Sequence, residues 1–489
     1  MFSTLIEKEL KSIILSPKFF ATFAVSSILI LLSVFIGIQE YRAVVKSYEA
    51  GIQLTDQEMQ EKSSWFMLNT RVFRKPDPMQ VFVSGVNNDI GRFSNIRSSE
   101  SVKLTNSIYS DDPIFAVFRF IDFTLIVQVV LSLFAVLFTY NAINGERESG
   151  TLQLAFSNSI PRFRFIITKF IGSWMGLTVP ILIPILLSFL LIIAFKIPFS
   201  ADHWLKLIAL LGASLLYFTA FIAMGVFVSA ITKRSSISFL LLLVTWVVFV
   251  LIIPRISVMT AARLSPVPSI AEIDGQLDGY SKERWDNHIK ELEKSWEKRN
   301  KEMEGMTKEQ REAYRDEHMW EWMEENDKAR KQVQADITEF SRTLHENLRN
   351  RKAVQERLAF SMSRFSPASA FQLTCMNLAG TDIRLKDRYE KEMEQYQKTF
   401  VAYTEKKQQE SGWATGGIRI EFNSDTGMKF SLGNRGGALD SSDMPRFQEM
   451  KQSFSQIFAS TIIDFGLLIF YIVIALVGAF VGFLRYDVR

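Results

Sequence analysis

The chain has 489 residues and a formal net charge of +4, small and mixed in sign, which argues against a nucleic-acid partner. Composition is uneven, with long blocks almost free of charge and a stretch at roughly 276–360 dense in Lys, Arg, Glu and Asp. Cys375 is the only cysteine, so an internal disulfide is excluded and the redox compartment is not legible from it.

In chain order, Leu5, Ile6, Leu10, Ile13 and Ile14 fall at near-helical spacing, with Glu7, Lys8, Glu9 and Lys11 between them. The pattern predicts an amphipathic helix within 1–18, lying in the membrane interface; a frayed tail is the alternative. A hydrocarbon core about 30 Å thick needs roughly 20 apolar residues per helix. Six stretches meet that need: 19–38, 118–140 (apolar from Phe123 to Tyr140), 170–195, 205–231, 237–256 and 461–484. The first is too long, and lacks a small-x-small cleavage site, for a removable signal peptide, so it reads as a retained anchor.

Positive flanks set the orientation. Lys8, Lys11 and Lys18, then Arg147, Arg162, Arg164 and Lys169, then Lys233 and Arg234, and finally Arg485 and Arg489 all fall on one side of six spans. That side is expected to be the cytoplasm of a cell (inner) membrane, with both termini and the 485–489 tail inside. Residues 39–117 and 257–460 are then extracytoplasmic, since long segments translocate largely regardless of charge.

The outer segments are mostly helical in pattern. Val333, Ile337, Phe340, Leu344 and Leu348 make one apolar stripe, and Leu385, Tyr389, Met393, Tyr396, Phe400 and Tyr403 make another. Trp285, Trp296, Trp320 and Trp322 serve either as helix contacts or as a ligand-stacking surface. Ile418, Ile420 and Phe422 alternate with polar residues, as do Met428, Phe430 and Leu432, with turn residues Asn423 to Gly427 between: a β-hairpin. Lys75-Pro76-Asp77-Pro78 ends any helix, Gln80–Val83 reads as a short strand, and Gly433–Asp443 reads as a loop. The expected fold is an α-helical integral membrane protein of six transmembrane helices, with a mainly helical extracytoplasmic domain carrying a small β element.

Chemistry is sparse. No G-x-x-x-x-G-K-[ST] phosphate loop occurs, so the chain is not expected to hydrolyse ATP itself. His345-Glu346 lacks the second histidine of a zinc-protease motif, Arg349 standing there, and Glu317, His318 and Glu321 lack a further ligand; no metal site and no catalytic residue is expected. In or near the spans, Asp122, Arg255 and Asp464 either pair as a charge network at the outer mouth or are separately wetted. Gly172 and Gly176, and Gly478 and Gly482, fit close helix packing.

One segment, 141–169, is charged yet held between two apolar blocks, and carries Glu146, Arg147, Glu148, Arg162, Arg164 and Lys169. G-E-R-E-S-G-T-L at Gly145–Leu152, followed by Pro161-Arg162 and Lys169, resembles the permease subunits of type-2 ABC exporters. Arg74 to Pro78 with Phe82 to Gly85, Pro254-Arg255, Ser366 to Ser369 and Ala379-Gly380-Thr381 resemble a branch with a large outer insert between the fifth and sixth spans. The resemblance implies a coupling helix built from Glu146, Arg147, Glu148, Gly150, Thr151 and Leu152, with Arg162 and Lys169, seated on a separate ABC ATPase subunit. It implies ATP and Mg on that partner and no cofactor in this chain. It also implies a second copy or similar permease, contact with membrane lipid, and export of a substrate the sequence does not name. The size of the outer segments supports another reading, in which ATP-driven movement is transmitted to an extracytoplasmic protein.

Overall fold

The structure is a computed structural model that describes residues 2–61, 68–97, 102–107, 121–157, 161–411, 418–423, 427–432, 443–450 and 452–484. The glycine-rich stretch at 433–442, the turn at 424–426 and the tail with Arg485 and Arg489 lie outside these. Among the described residues six helices are long and apolar enough to cross a membrane. Contacts divide the chain into two units, Met1–Ile252 with Arg364–Arg489, and Ile253–Ser363.

The first unit opens with α1 (Phe2–Ile14) and α2 (Pro17–Gln60), the first span. Ser16 starts α2 by accepting the Phe19 N–H (3.2 Å), and Pro17 supplies a preset first residue. With 44 residues, α2 is about 66 Å long, roughly twice the hydrocarbon thickness, so its apolar half continues into a polar one. The other spans are α3 (Phe123–Glu148), α5 (Arg162–Ala194), α6 (Ala201–Ile231), α7 (Ser235–Leu264) and α12 (Phe454–Leu484); a short α4 (Thr151–Ser157) lies between α3 and α5. The most enclosed are α3 and α6, and on α6 Tyr217, Phe221 and Ala223 are fully buried where it packs on α3 and α12.

Both α3 and α7 contain a π-helical turn, at Ile126–Leu131 and Val247–Ile252. Such turns disturb the carbonyl ladder, and here hydroxyls from other elements meet it. Tyr217 Oη donates to the Gln128 carbonyl (2.8 Å), and Ser366 Oγ donates to the Phe249 carbonyl.

That second donor begins α10 (Pro367–Ala379), where Ser366 also accepts the Ala368 and Ser369 N–H groups, and Gly380, at φ 67°, ends the helix. Within the stretch 257–460, α10 is buried against α6 and α12, in an apolar cluster that joins residues of the spans with Met79, Val81 and Phe82. Phe371 stacks on Tyr217 at 4.6 Å.

Beyond the spans, β1 (Thr70–Phe73) pairs antiparallel with β2 (Phe93–Ile96) in the register Thr70↔Ile96 to Phe73↔Phe93. The apolar stripe of α11 (Leu385–Ser411) shares a buried cluster with this hairpin: Tyr389, Met393 and Phe400 lie with Val72 and Ile96. The strand expected at Gln80–Val83 is absent. Asp77 accepts the Met79 N–H (2.8 Å) and Pro78 fixes the first residue, so Pro78–Val81 closes into a 3₁₀ turn instead. A second hairpin, β3 (Ile418–Asn423) with β4 (Gly427–Leu432), runs from Ile418↔Leu432 to Asn423↔Gly427, where the alternation predicts it.

Gly85 ties together two segments distant in sequence. Its φ is +49°, and a Cβ there would lie 2.3 Å from the Thr381 carbonyl oxygen, which accepts the Val86 N–H at 3.0 Å. Gly85→Ala is therefore expected to destabilise the chain by about 2–3 kcal/mol through backbone strain and overlap. Gly212→Ala, with nothing within 4 Å of the new methyl, serves as a near-neutral control. Equal thermal melting of the two variants in detergent would show the Gly85 contact to be unimportant.

The second unit is the end of α7 with α8 (Ile270–Glu302) and α9 (Lys308–Ser363), the latter two packed as a hairpin. Tyr280 stacks on Phe340 at 4.1 Å, and Arg284 pairs with Asp336. Arg299 lies between Trp296 and Trp322, 4.7 Å from the latter ring, whereas Trp320 is exposed.

Candidate functional site

The charged segment after the second span closes on itself before it meets anything else. The last turn of α3, Asn144–Glu148, is stopped by Gly150 at φ 72°, a left-handed conformation that lets the chain turn at once into α4. Thr151 Oγ1 donates to the Glu146 carbonyl (3.3 Å), bracing the turn. Leu152 points inward and is buried with Phe165 and Phe483.

Four charges from three elements meet beside this turn. The Lys169 amine, on α5, is nearly enclosed and donates to Glu146 (2.8 Å) and to Glu9 of α1 (2.6 Å). Lys8, largely exposed, reaches Glu146 at 3.1 Å. An enclosed cation between two carboxylates is held by Coulomb attraction that water scarcely screens. Helix α1 approaches α5 this closely because of Gly172 and Gly176. A Cβ at the first would lie 2.7 Å from Glu9 Cβ, and one at the second would touch Ile13.

The same segment is stitched to the other spans. Glu148 accepts the Ser235 N–H (2.8 Å) and hydroxyl (2.7 Å) at the start of α7, where a carboxylate also suits the helix dipole. Arg147 donates to the Thr232 carbonyl (3.0 Å), and Ser229 Oγ accepts the backbone N–H groups of Ile143 and Asn144. Arg162 donates to the Leu484 carbonyl (2.7 Å) at the end of α12. Gly478 and Gly482 of α12 face Phe227 and Ile231 of α6, so both glycine pairs serve packing within the chain.

Glu146, Glu148, Arg147 and Arg162 thus each have a hydrogen-bond partner within the chain, and Glu148 keeps an exposed side chain as well. Outward stand Glu148, Ser149, Gly150, Thr151, Gln153, Phe163 and Arg164, and the Arg164 side chain has no partner among the described residues. Composition pointed to the charged residues of 141–169 but not to Glu9 or Lys8. Their signal was the polar stripe of α1, which is equally compatible with contact to lipid headgroups.

The expected charge network at the outer mouth needs correction. Asp464 is fully buried on α12, and its partner is Arg364, which donates through Nε (2.6 Å) and an Nη (3.1 Å). Asp122 caps α3, accepting from the Leu125 N–H (2.9 Å) and from the Ser84 N–H and hydroxyl (3.1 Å each). Arg255 falls in the second unit, is exposed, and has no ion-pair partner among the described residues. Arg364 sits 100 residues from Asp464 and just ahead of the Ser366 cap, so helix packing rather than sequence proximity makes the pair.

Among the described residues no group of three or more His, Cys, Asp or Glu could hold a metal. A family model described as an ABC-2 family transporter protein matches residues 3–488. No curated protein matches the chain.

Proposed function

Because the chain belongs to the ABC-2 family of transporter proteins, we propose that it is the permease of an exporter whose ATP is hydrolysed on a separate subunit. In this reading the ATPase, with ATP and Mg, seats against the exposed face of Gly150–Gln153 and Arg164. A second copy or a similar permease completes the pair, and both termini lie on the cytoplasmic side of the inner membrane. The observation that carries the reading is the enclosed Glu146–Lys169–Glu9 cluster. Displacing the turn at 146–152 pulls α1 and α5 through this cluster and α7 through Glu148, so one push reaches several spans together.

Co-purification in mild detergent tests it. The wild-type chain should bring down an ATP-binding subunit, and Arg164→Glu with Gln153→Arg should reduce recovery at least tenfold while leaving the permease folded. Undiminished recovery would place the ATPase elsewhere.

The length of the second unit favours a further reading, transmission of movement to an extracytoplasmic protein. Helix α9 has 56 residues, about 84 Å, far more than a loop between spans requires. Stimulation of the reconstituted ATPase by a small hydrophobic compound or lipid supports transport. Stimulation only by a protein bound to residues 270–363 supports transmission.

A further inference from the structure

Beside the β1–β2 hairpin lies a cavity of about 200 Å³ whose wall carries Arg74, Lys75, Arg92, Gln80 and Asn87. The geometry points to a binding site for a phosphate group, carried either by a lipid headgroup or by a soluble phosphate ester.

Charge is the first reason. Arg74 and Arg92 follow Phe73 and precede Phe93, the last cross-strand pair, and the Arg74 N–H donates to the Arg92 carbonyl at 2.8 Å. Two guanidinium groups are therefore held side by side at the end of a ladder, an arrangement that repels unless an anion lies between. Among the described residues none of the three cations has a carboxylate within 4 Å. The Arg74 guanidinium hydrogen-bonds to the side chain (2.6 Å) and carbonyl (2.8 Å) of Asn87 and lies over the Tyr389 ring at 5.8 Å. Two acids act on the three cations from farther off: Glu449, hydrogen-bonded to Tyr389, reaches Arg74 and Lys75, and Glu40, hydrogen-bonded to Asn88, reaches Arg92.

The amides supply a second, independent reason. Arginine only donates, so the Asn87 atom facing Arg74 is its oxygen, which turns the Asn87 amino group toward Gln80. That group donates to Gln80 Oε1 (2.8 Å), which in turn fixes Gln80 Nε2 as a donor. Nε2 is buried and has no acceptor, an unfavourable state that a ligand oxygen would relieve.

Three cations with an unused amide donor suit the several oxygens and the charge of a phosphate better than the two oxygens of a carboxylate. Position agrees. The cavity is lined by Val44, Ser47 and Tyr48 of α2, six to ten residues past the apolar stretch that ends near Ile38. At 1.5 Å per residue that is about 9–15 Å beyond the hydrocarbon, at or just outside the headgroup layer.

Titration calorimetry on the full chain in detergent tests this with two probes, inorganic phosphate and a short-chain phosphatidic acid. The wild type should bind at least one, more weakly at high salt. Arg92→Gln should weaken binding tenfold or more, and Arg92→Lys should weaken it less. Binding of both probes identifies a phosphate site open to soluble esters, and binding of the lipid alone identifies a headgroup site. Gln80→Glu keeps the acceptor for Asn87 but places a carboxylate among the cations. It should abolish binding and raise the melting temperature of the unliganded chain. Binding of neither probe by the wild type, or equal binding by wild type, Arg92→Gln and Gln80→Glu, overturns the proposal.

Discussion

Replacing Lys169 by methionine is expected to destabilise the chain by about 3–5 kcal/mol and to uncouple ATP hydrolysis from transport. The lysine is the enclosed cation between Glu9 and Glu146, and its loss leaves two shielded carboxylates facing one another. Lys8 compensates poorly, being largely exposed and worth under about 1 kcal/mol. The triple variant Lys169→Met, Glu9→Gln, Glu146→Gln leaves no enclosed unpaired charge, since Lys8, which loses Glu146, is largely exposed, and should recover most of the stability. It should not recover coupling, because the link between the turn and α1 is still cut. Thermal melting in detergent and ATPase activity in proteoliposomes separate the two effects. A triple variant no more stable than Lys169→Met would show that charge is not what holds this junction.

The Arg364–Asp464 pair should respond asymmetrically. Asp464 has no exposed surface, whereas the Arg364 side chain is 29% exposed. Arg364→Met strands a carboxylate with no route to water, at a cost of about 4–5 kcal/mol. Asp464→Asn leaves a guanidinium that can still turn toward solvent, at about 2–3 kcal/mol. Arg255→Gln, at an exposed side chain in the second unit, should change melting by no more than about 0.5 kcal/mol. If Asp464→Asn proved as damaging as Arg364→Met, relief by solvent would not be the deciding term.

The spans were legible because a bilayer demands length and apolarity, both of which are local properties of the sequence. The turn at 145–152 was legible because Gly150 and the flanking charges are contiguous. The partners those charges have within the chain were not, since an acidic side chain reads the same whether or not a lysine on the next helix lies beside it. Lys169 marks the boundary of what could be read: its position about two turns inside α5 was visible, but its second partner, Glu9, lies 160 residues away. The strands Thr70–Phe73 and Phe93–Ile96 are too short for alternation to reveal, and they form because their apolar faces meet α11. At Gln80–Val83 apolar content suggested a strand, but a capping aspartate and a proline decided the backbone. For α10 the start at Ser366-Pro367 and the stop at Gly380 were both written locally. Its burial among the spans was not, because small residues such as Ala368 and Ala370 suit a membrane core and a soluble one equally.

The uninterrupted length of α2 has a mechanical meaning. Its foot begins three residues after α1 ends, so whatever moves Glu9 through Lys169 also moves the end of a stiff rod about 66 Å long. Pivoting by 5° about that foot carries the far end through about 6 Å, comparable to one helical pitch, while residues near the pivot shift by less than 1 Å. Gearing of this kind turns a displacement too small to break the packing around α1 into one large enough to shift the β1–β2 hairpin packed on the far half of α2.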